Sequence, residues 1–236
     1  FASYKANTLI EILKYKKVII NNCLIHHIVV KPDSFLIYMK NIMNVHLIKL
    51  SIINITGTIF SLEDSFDITM SYLNVSSIIS HHIQKSKASF NLRNIRNLSM
   101  SMCTFYNSIG TMYSIKDVRN GYLCRTTFSN INGTKHGAFH LKLNTYSKGR
   151  FEFFINNSKF LNCSSLDSGG AINIVSILSS SKHFSKWRNK EIYVKNKSEN
   201  YMSIAMQNTM VCFCSCAESG GGIKVQVYDD LKIQNM

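Results

Sequence analysis

The sequence predicts an all-β chain, a right-handed parallel β-helix (solenoid) of about seven coils, and three observations carry that expectation. Short segments alternate apolar and polar residues, an Asn recurs two places after a large apolar residue, and the chain aligns on itself twice without gaps. The alternation identifies strands: Ile68, Met70 and Tyr72 point one way while Asp67, Thr69 and Ser71 point the other. Phe139, Leu141 and Leu143 alternate in the same way with His140 and Lys142. A helical period fits neither segment.

The recurring element links Ile52 to Asn54, Tyr72 to Asn74, Phe105 to Asn107, Phe128 to Asn130 and Phe160 to Asn162, with Ile20 to Asn22 at the head of the series. The segment from Leu50 to Leu62 aligns on Cys103 to Ile115, and Asn157 to Ile172 aligns on Asn208 to Ile223. Intervals between repeats vary, as loops of different length on a fixed rung would produce, whereas helical repeats keep a nearly constant period. In a parallel β-helix each coil lies about 4.8 Å from the next, so equivalent side chains form columns. A column of Asn, read here as facing inward at a bend, can pass hydrogen bonds from rung to rung and tolerates a left-handed backbone. Ile52, Tyr72, Phe105, Phe128, Phe160 and Ile172 are therefore expected to stack inside.

The 236 residues suit one domain, a single solenoid segment over 1–236 that is part of a longer solenoid, with a basic loop inserted at 179–200. Hydrophobic residues make up 45% and charged residues 17%, with 11 Gly and one Pro, which excludes disordered, collagen-like and proline-rich classes. Only 13 acidic residues face 27 basic ones, a net charge of +14, so a chain built around carboxylate chemistry is disfavoured. Lys14, Lys16, Lys17 and Lys31 interrupt the longest apolar stretches, so no spanning helix is expected. The chain begins at Phe1 without a secretory leader pattern, which suggests a processed or excised piece.

Phe160-x-Asn162 followed by Gly169-Gly-Ala-Ile172 resembles the repeat of chlamydial polymorphic outer-membrane proteins and related right-handed β-helix surface proteins. Similar repeats occur in large protist surface proteins. The element is reduced to Gly137-Ala-Phe139 one coil earlier and altered to Gly220-Gly-Gly-Ile223 one coil later. The resemblance implies an adhesin or a surface or structural protein, secreted or on the cell surface, with pectin-lyase-like enzymes as more distant relatives of the fold.

The chemistry-bearing residues are few. Asp167 and Glu218 occupy equivalent places in consecutive coils, which would set their backbones about 5 Å apart, near the spacing of a retaining glycosidase pair. They are the catalytic candidates of the alternative reading, a polysaccharide-acting lyase or glycoside hydrolase; the competing reading is a solvated polar turn. No His or Arg aligns with them in a neighbouring coil. Seven cysteines include the alternating Cys212, Cys214 and Cys216, whose spacing does not wrap a metal. Cys163 aligns with Cys214, and adjacent rungs bring Cα atoms within disulfide range, so this pair is the disulfide candidate.

Of seven Asn-x-Ser/Thr sequons, Asn54, Asn74 and Asn162 fall in the presumed inward ladder. Glycans are accordingly expected on Asn97, Asn132, Asn156 and Asn196, read as turn or loop positions. The inserted loop carries Lys186, Trp187, Arg188 and Lys190, a cluster that suits an anionic glycan through charge and stacking. No cofactor, metal or nucleic acid is implied. The expected partners are other β-helical subunits or further segments of the same chain.

Overall fold

The computed structural model describes residues 5–6, 8–31, 34–80, 88–134, 136–144, 150–177, 201–226 and 231–234. Among them every regular element is a β-strand and every pairing of strands is parallel. After β1 (Lys5–Ala6), the first complete turn of chain is β2 (Ile10–Leu13), β3 (Lys17–Asn21) and β4 (Leu24–Val30). The second is β5 (Phe35–Lys40), β6 (Asn44–Ile48) and β7 (Ser51–Thr56). In the next three the first two strands run together as β8 (Thr58–Ser71), β10 (Phe90–Ser101) and β12 (Tyr113–Cys124). Each of these is followed by its return strand: β9 (Asn74–Ser76), β11 (Thr104–Ile109) and β13 (Thr127–Gly133) respectively. The sixth turn is β14 (Phe139–Asn144), β15 (Arg150–Asn156), β16 (Lys159–Leu161) and β17 (Ser164–Ser165). The seventh is β18 (Ile172–Ile177), β19 (Tyr201–Gln207), β20 (Met210–Cys212) and β21 (Ser215–Cys216), and β22 (Ile223–Gln226) with β23 (Leu231–Gln234) opens an eighth.

The chain alternates between two parallel sheets, of thirteen and ten described strands, and each return to a sheet lands beside the strand of the previous turn. That order fits a β-helix or solenoid. Within each turn the larger sheet contributes two limbs, joined at a bend, and the smaller sheet one limb.

Three corners shape each of the first five coils, and two of them are described in the sixth and seventh. Nineteen described non-glycine residues have positive φ, and all nineteen fall into three columns. The bend between the limbs of the larger sheet holds Lys14, Asn41, Asp64, Asn94 and Asp117. The step into the smaller sheet holds Asn22, Lys49, Tyr72, Met102, Arg125, Asn157 and Asn208, and a bend inside that sheet holds His27, Asn54, Ser77, Asn107, Asn130, Asn162 and Phe213. The first corner precedes the second by eight residues in every coil where both are described, and the second precedes the third by five. Where all three corners are described, the variation in repeat length lies between the third corner and the next first one. Eleven of the nineteen are Asn or Asp, the residues for which the left-handed region is least costly.

A corner also shifts the alternation by one place. Phe105 faces in, Tyr106 and Asn107 both face out, and Ser108 faces in again. This corrects two sequence expectations. Tyr72 is a corner residue, 52% exposed, and the core position of its coil is Val75, with Ser77 at the third corner. Asn22 belongs to the second corner, so the column that runs through Asn54 begins at His27. The asparagines of that column are exposed rather than inward-facing. They do pass hydrogen bonds along it: Asn162 Nδ2 donates to Asn130 Oδ1 (2.8 Å), and Asn130 Nδ2 donates to Asn107 Oδ1 (2.9 Å).

The corner geometry makes a paired prediction. Asn130→Ala gives up tolerance of the left-handed backbone and both exposed amide contacts, an expected loss of about 2 kcal/mol. Met102→Asn places a tolerant residue at an equivalent left-handed site and should gain about 0.5 to 1 kcal/mol. Urea denaturation measures both; changes of the same sign would contradict the corner assignment.

Two columns of large side chains meet inside the coil and form the centre of a longer core. From the smaller sheet Ile52, Val75, Phe105, Phe128, Phe160 and Val211 stack in register. The Phe105 and Phe128 rings are 4.9 Å apart at 15°, and Phe128 and Phe160 are 4.9 Å apart at 8°. From the larger sheet Ile37, Phe60, Phe90, Tyr113, Phe139, Ile172 and Ile223 stack likewise, with Phe90 and Tyr113 rings 4.6 Å apart. The two columns touch edge to face, as where Phe105 meets Tyr113 at 88°. Ile52, Phe105, Phe128, Phe160 and Ile172 are fully buried, as the sequence predicts.

Candidate functional site

The glycine element builds a turn in which successive coils touch backbone to backbone. Gly137 N donates to Gly169 O (3.1 Å), and Gly170 N donates to Gly221 O (2.9 Å). A Cβ on Gly137 would lie 2.0 Å from Gly170 O, and one on Gly170 would lie 2.2 Å from Ser215 O, so neither position admits a side chain. The motif is thus a close-packing device. It sets Ser168 beside Ser219 and, in the preceding coil, beside His136.

Asp167 and Glu218 adjoin that Ser168–Ser219 bridge in consecutive coils, Asp167 half-buried and Glu218 exposed. His136, one coil earlier, is the counterpart of Ser168 rather than of Asp167, and so lies beside the acidic pair without aligning with it. It follows Asn130 by six residues, as Ser168 follows Asn162, and the one residue by which the later turn is longer lies beyond this bridge, between Ser168 and Ile172. His136 belongs to a polar cluster: its ring stacks on His140 with centroids 3.8 Å apart, and its Nδ1 lies 2.9 Å from Asn173 Nδ2 and 3.4 Å from Ser168 Oγ. Asn173 Nδ2 also donates to Ser168 Oγ (3.0 Å). Ser168 is 3% exposed and Asn173 1%, while His136 is half-buried, so the cluster acts as a packed polar network with its histidine at the surface.

A second polar array lies on the outer face of the larger sheet's second limb, in a shallow groove of about 560 Å³. Asn120 Nδ2 donates to Asn97 Oδ1 (2.7 Å), and Asn97 Nδ2 donates to Asp67 Oδ1 (2.6 Å). Glu152 continues the column one coil beyond Asn120. Asp67 and Glu152 are three rungs apart, about 14 Å at the usual strand spacing, beyond either carboxylate separation used in glycoside hydrolysis. Asn97 therefore sits mid-strand in β10 with its amide engaged, which corrects its reading as a loop position. Asn132 lies in β13 and Asn156 ends β15, so these sequons are strand positions too. The ground for setting aside Asn54, Asn74 and Asn162 also falls, because all three are exposed.

All seven cysteines are free thiols, which corrects the expected Cys163–Cys214 disulfide. The register does place them side by side, since Ser164 pairs with Ser215. Equivalent side chains on parallel rungs project in parallel at about 4.8 Å, wider than the Cβ separation of about 3.5 to 4.5 Å that a disulfide requires. The thiols interact instead: a hydrogen bond from the Cys163 thiol lowers Cys214 to about 7, while that bond and burial push Cys163 up. Burial pushes the Cys103 thiol up to about 11. Among the described residues no cluster of three or more His, Cys, Asp or Glu could hold a metal ion, and no helix is long and apolar enough to cross a membrane. Lys186, Trp187, Arg188, Lys190 and Asn196 lie outside the described residues. No protein-family model matches the chain, and no curated protein and no solved structure matches it.

Proposed function

We propose that the chain is a right-handed parallel β-helix of seven complete coils that serves as a non-enzymatic structural or adhesive element, secreted or on the cell surface. Right-handedness follows the general rule for parallel strands joined by a crossover in one sheet. The observation that carries the functional reading is that the outer polar side chains hydrogen-bond to their counterparts along the stack. The column from Asn120 through Asn97 to Asp67 and that from Asn162 through Asn130 to Asn107 both do so, and neither converges on a reacting atom. The resemblance of the Phe-x-Asn and Gly-Gly-Ala-Ile elements to surface-protein repeats supports the location; with the thiols free, the disulfide argument for it is withdrawn.

Assembly follows from the edges. Among the described strands β3 pairs only with β6 and β23 only with β19, so each leaves one row of backbone groups to be met by further β-structure. Further coils of the same chain or a second copy stacked head to tail would meet them, and heterologous contacts of that kind make rods. Electron microscopy of the native material should show rods or a surface layer, and incubation with acidic and neutral polysaccharides should release no product. Discrete single particles at all concentrations would overturn the assembly reading. Release of unsaturated or reducing ends, abolished by Asp167→Asn or Glu218→Gln, would establish the enzyme reading that the stacked carboxylates favour.

A further inference from the structure

The groove of about 560 Å³ on the outer face of the larger sheet's second limb carries groups that the amide column does not use. It lies between two outward columns. One runs from Asn44 to Glu152, and the other is His46, Thr69, Ser99, Tyr122 and Phe154, one residue on each of five consecutive rungs. From the first of these rungs to the last is about 19 Å at the usual strand spacing. Neither column contains Lys or Arg, although the chain holds 27 of them. The carboxylates are already met. Asp67 Oδ1 accepts from Asn97 (2.6 Å), the Asn44 amide, in the orientation its neighbours require, donates to Asp67 Oδ2 (3.2 Å), and Glu152 is likewise engaged. The groove therefore presents no unbalanced charge that would call for an ionic ligand.

What it presents is of two kinds. Among the described residues no hydrogen bond holds the Thr69 and Ser99 hydroxyls or Asn120 Oδ1, which sit on three consecutive rungs. Hydroxyls both give and accept hydrogen bonds, so they suit a ligand whose own polar groups do the same. Beside them Tyr122 and Phe154, on adjacent rungs, are 42% and 45% exposed, which leaves two ring surfaces next to the polar row. A ligand that is uncharged, bears hydroxyls and has apolar C–H faces meets both kinds of group, and a sugar is such a ligand. The spacing decides its form. Contact groups recur at every rung, about 4.8 Å, whereas a peptide strand advances about 3.3 Å per residue and falls out of step within a few residues. An extended chain of six-membered sugar rings, each bridged through one oxygen, advances about 5 Å per residue at ordinary single-bond lengths.

We propose that this groove binds a neutral, unbranched, extended glycan lying along the stack, its hydroxyls meeting Thr69, Ser99 and Asn120 and its ring faces resting on Tyr122 and Phe154. This deepens the adhesive half of the proposed function and rests on it, but it is independent of whether the protein forms rods. A second copy laid side by side has the same rung spacing, so it is the competitor to exclude.

The test titrates the full chain by calorimetry with cellohexaose and chitohexaose as extended neutral chains, maltohexaose as a curled neutral chain and hexagalacturonate as a charged one. Variants are Tyr122→Ala with Phe154→Ala, Thr69→Ala with Ser99→Ala, and, as a control that removes two exposed rings outside the groove, Phe66→Ala with Phe213→Ala. At least one extended neutral sugar should bind, with an affinity that raised salt leaves within about twofold. The groove-ring variant should weaken it by about tenfold or more, as loss of two aromatic contacts predicts. The hydroxyl variant, a milder change that keeps the test decisive should the ring variant not fold, should weaken it by about threefold or more. The control should stay within about twofold. No binding by either extended neutral sugar, equal losses in the ring variant and its control, or maltohexaose or hexagalacturonate binding as tightly would each overturn the proposal. So would self-association that the ring variant abolishes and no sugar competes with. Sugar recovered in shortened form would overturn the non-enzymatic reading and leave the groove assignment standing, so the two failures are distinguishable.

Discussion

Phe128→Ala is expected to destabilise the protein by about 4 to 5 kcal/mol, at the upper end for deletion of a buried ring. Phe128 is fully buried and lies between two parallel neighbours, Phe105 and Phe160, each 4.9 Å away, so truncation removes both stacking contacts at once. It also meets Tyr113 and Phe139 edge to face across the coil, at 6.1 and 6.3 Å. The cavity cannot collapse easily, because the rungs above and below are tied by ladder hydrogen bonds whose spacing does not change with side-chain size. Urea unfolding followed by circular dichroism gives the value directly. A loss below about 1 kcal/mol would mean that Phe128 is not in the interior column.

Gly137→Ala should cost about 3 kcal/mol or more, although it adds a single methyl group to a turn. The new Cβ would fall 2.0 Å from Gly170 O and 2.3 Å from Gly169 O, and both are backbone atoms of the next coil that no rotamer change can move away. The coils must therefore part, straining the bonds from Gly137 N to Gly169 O and from Phe139 N to Ala171 O (3.0 Å). In a solenoid each coil contacts only its neighbours, so the damage should stay local. Hydrogen exchange should show protection lost around β14, β18 and β22 and kept in β5 through β10. Gly221→Ala is the matched control: its Cβ would meet nothing nearer than Cys214 O at 3.5 Å, so the change should fall within about 0.5 kcal/mol. Equal effects at Gly137 and Gly221 would remove the close-packing explanation of the motif.

Much of this architecture is legible in the sequence because its strongest signals are local. The alternation around Phe139 and the alignment of Phe160 on Val211 both reappear as strand register. The failures share one cause. Two left-handed corners lie five residues apart, both accept Asn, and each shifts the inside–outside parity by one, so Tyr72 and Asn22 look equivalent to residues at a different corner. At His27, Ser77 and Phe213 the third corner keeps its backbone without an Asn, because ladder pairing and core burial on both flanks outweigh the local preference. The candidate site was less legible. His136 and Ser168 stand six residues past Asn130 and Asn162, but the contacts of His136 with Asn173 and His140 involve positions that the repeat pattern does not mark, and the outer column from Asp67 through Asn97 to Asn120 emerges only once the register is known.

The register itself is the central claim, and pulsed electron–electron distance measurements between spin labels test it most directly. Leu24, Thr104, Lys159 and Met210 are exposed residues of one outer column, three, five and six rungs along from Leu24 for the last three. Labels carried on noncanonical residues, leaving the native cysteines untouched, should give separations from position 24 that rise by about 10 Å from 104 to 159 and by about 5 Å from 159 to 210. Those two steps span nearly equal lengths of chain, 55 and 51 residues. Equal increments for the two steps, or a separation that shortens between 159 and 210, would contradict a stack in which each rung adds one strand spacing.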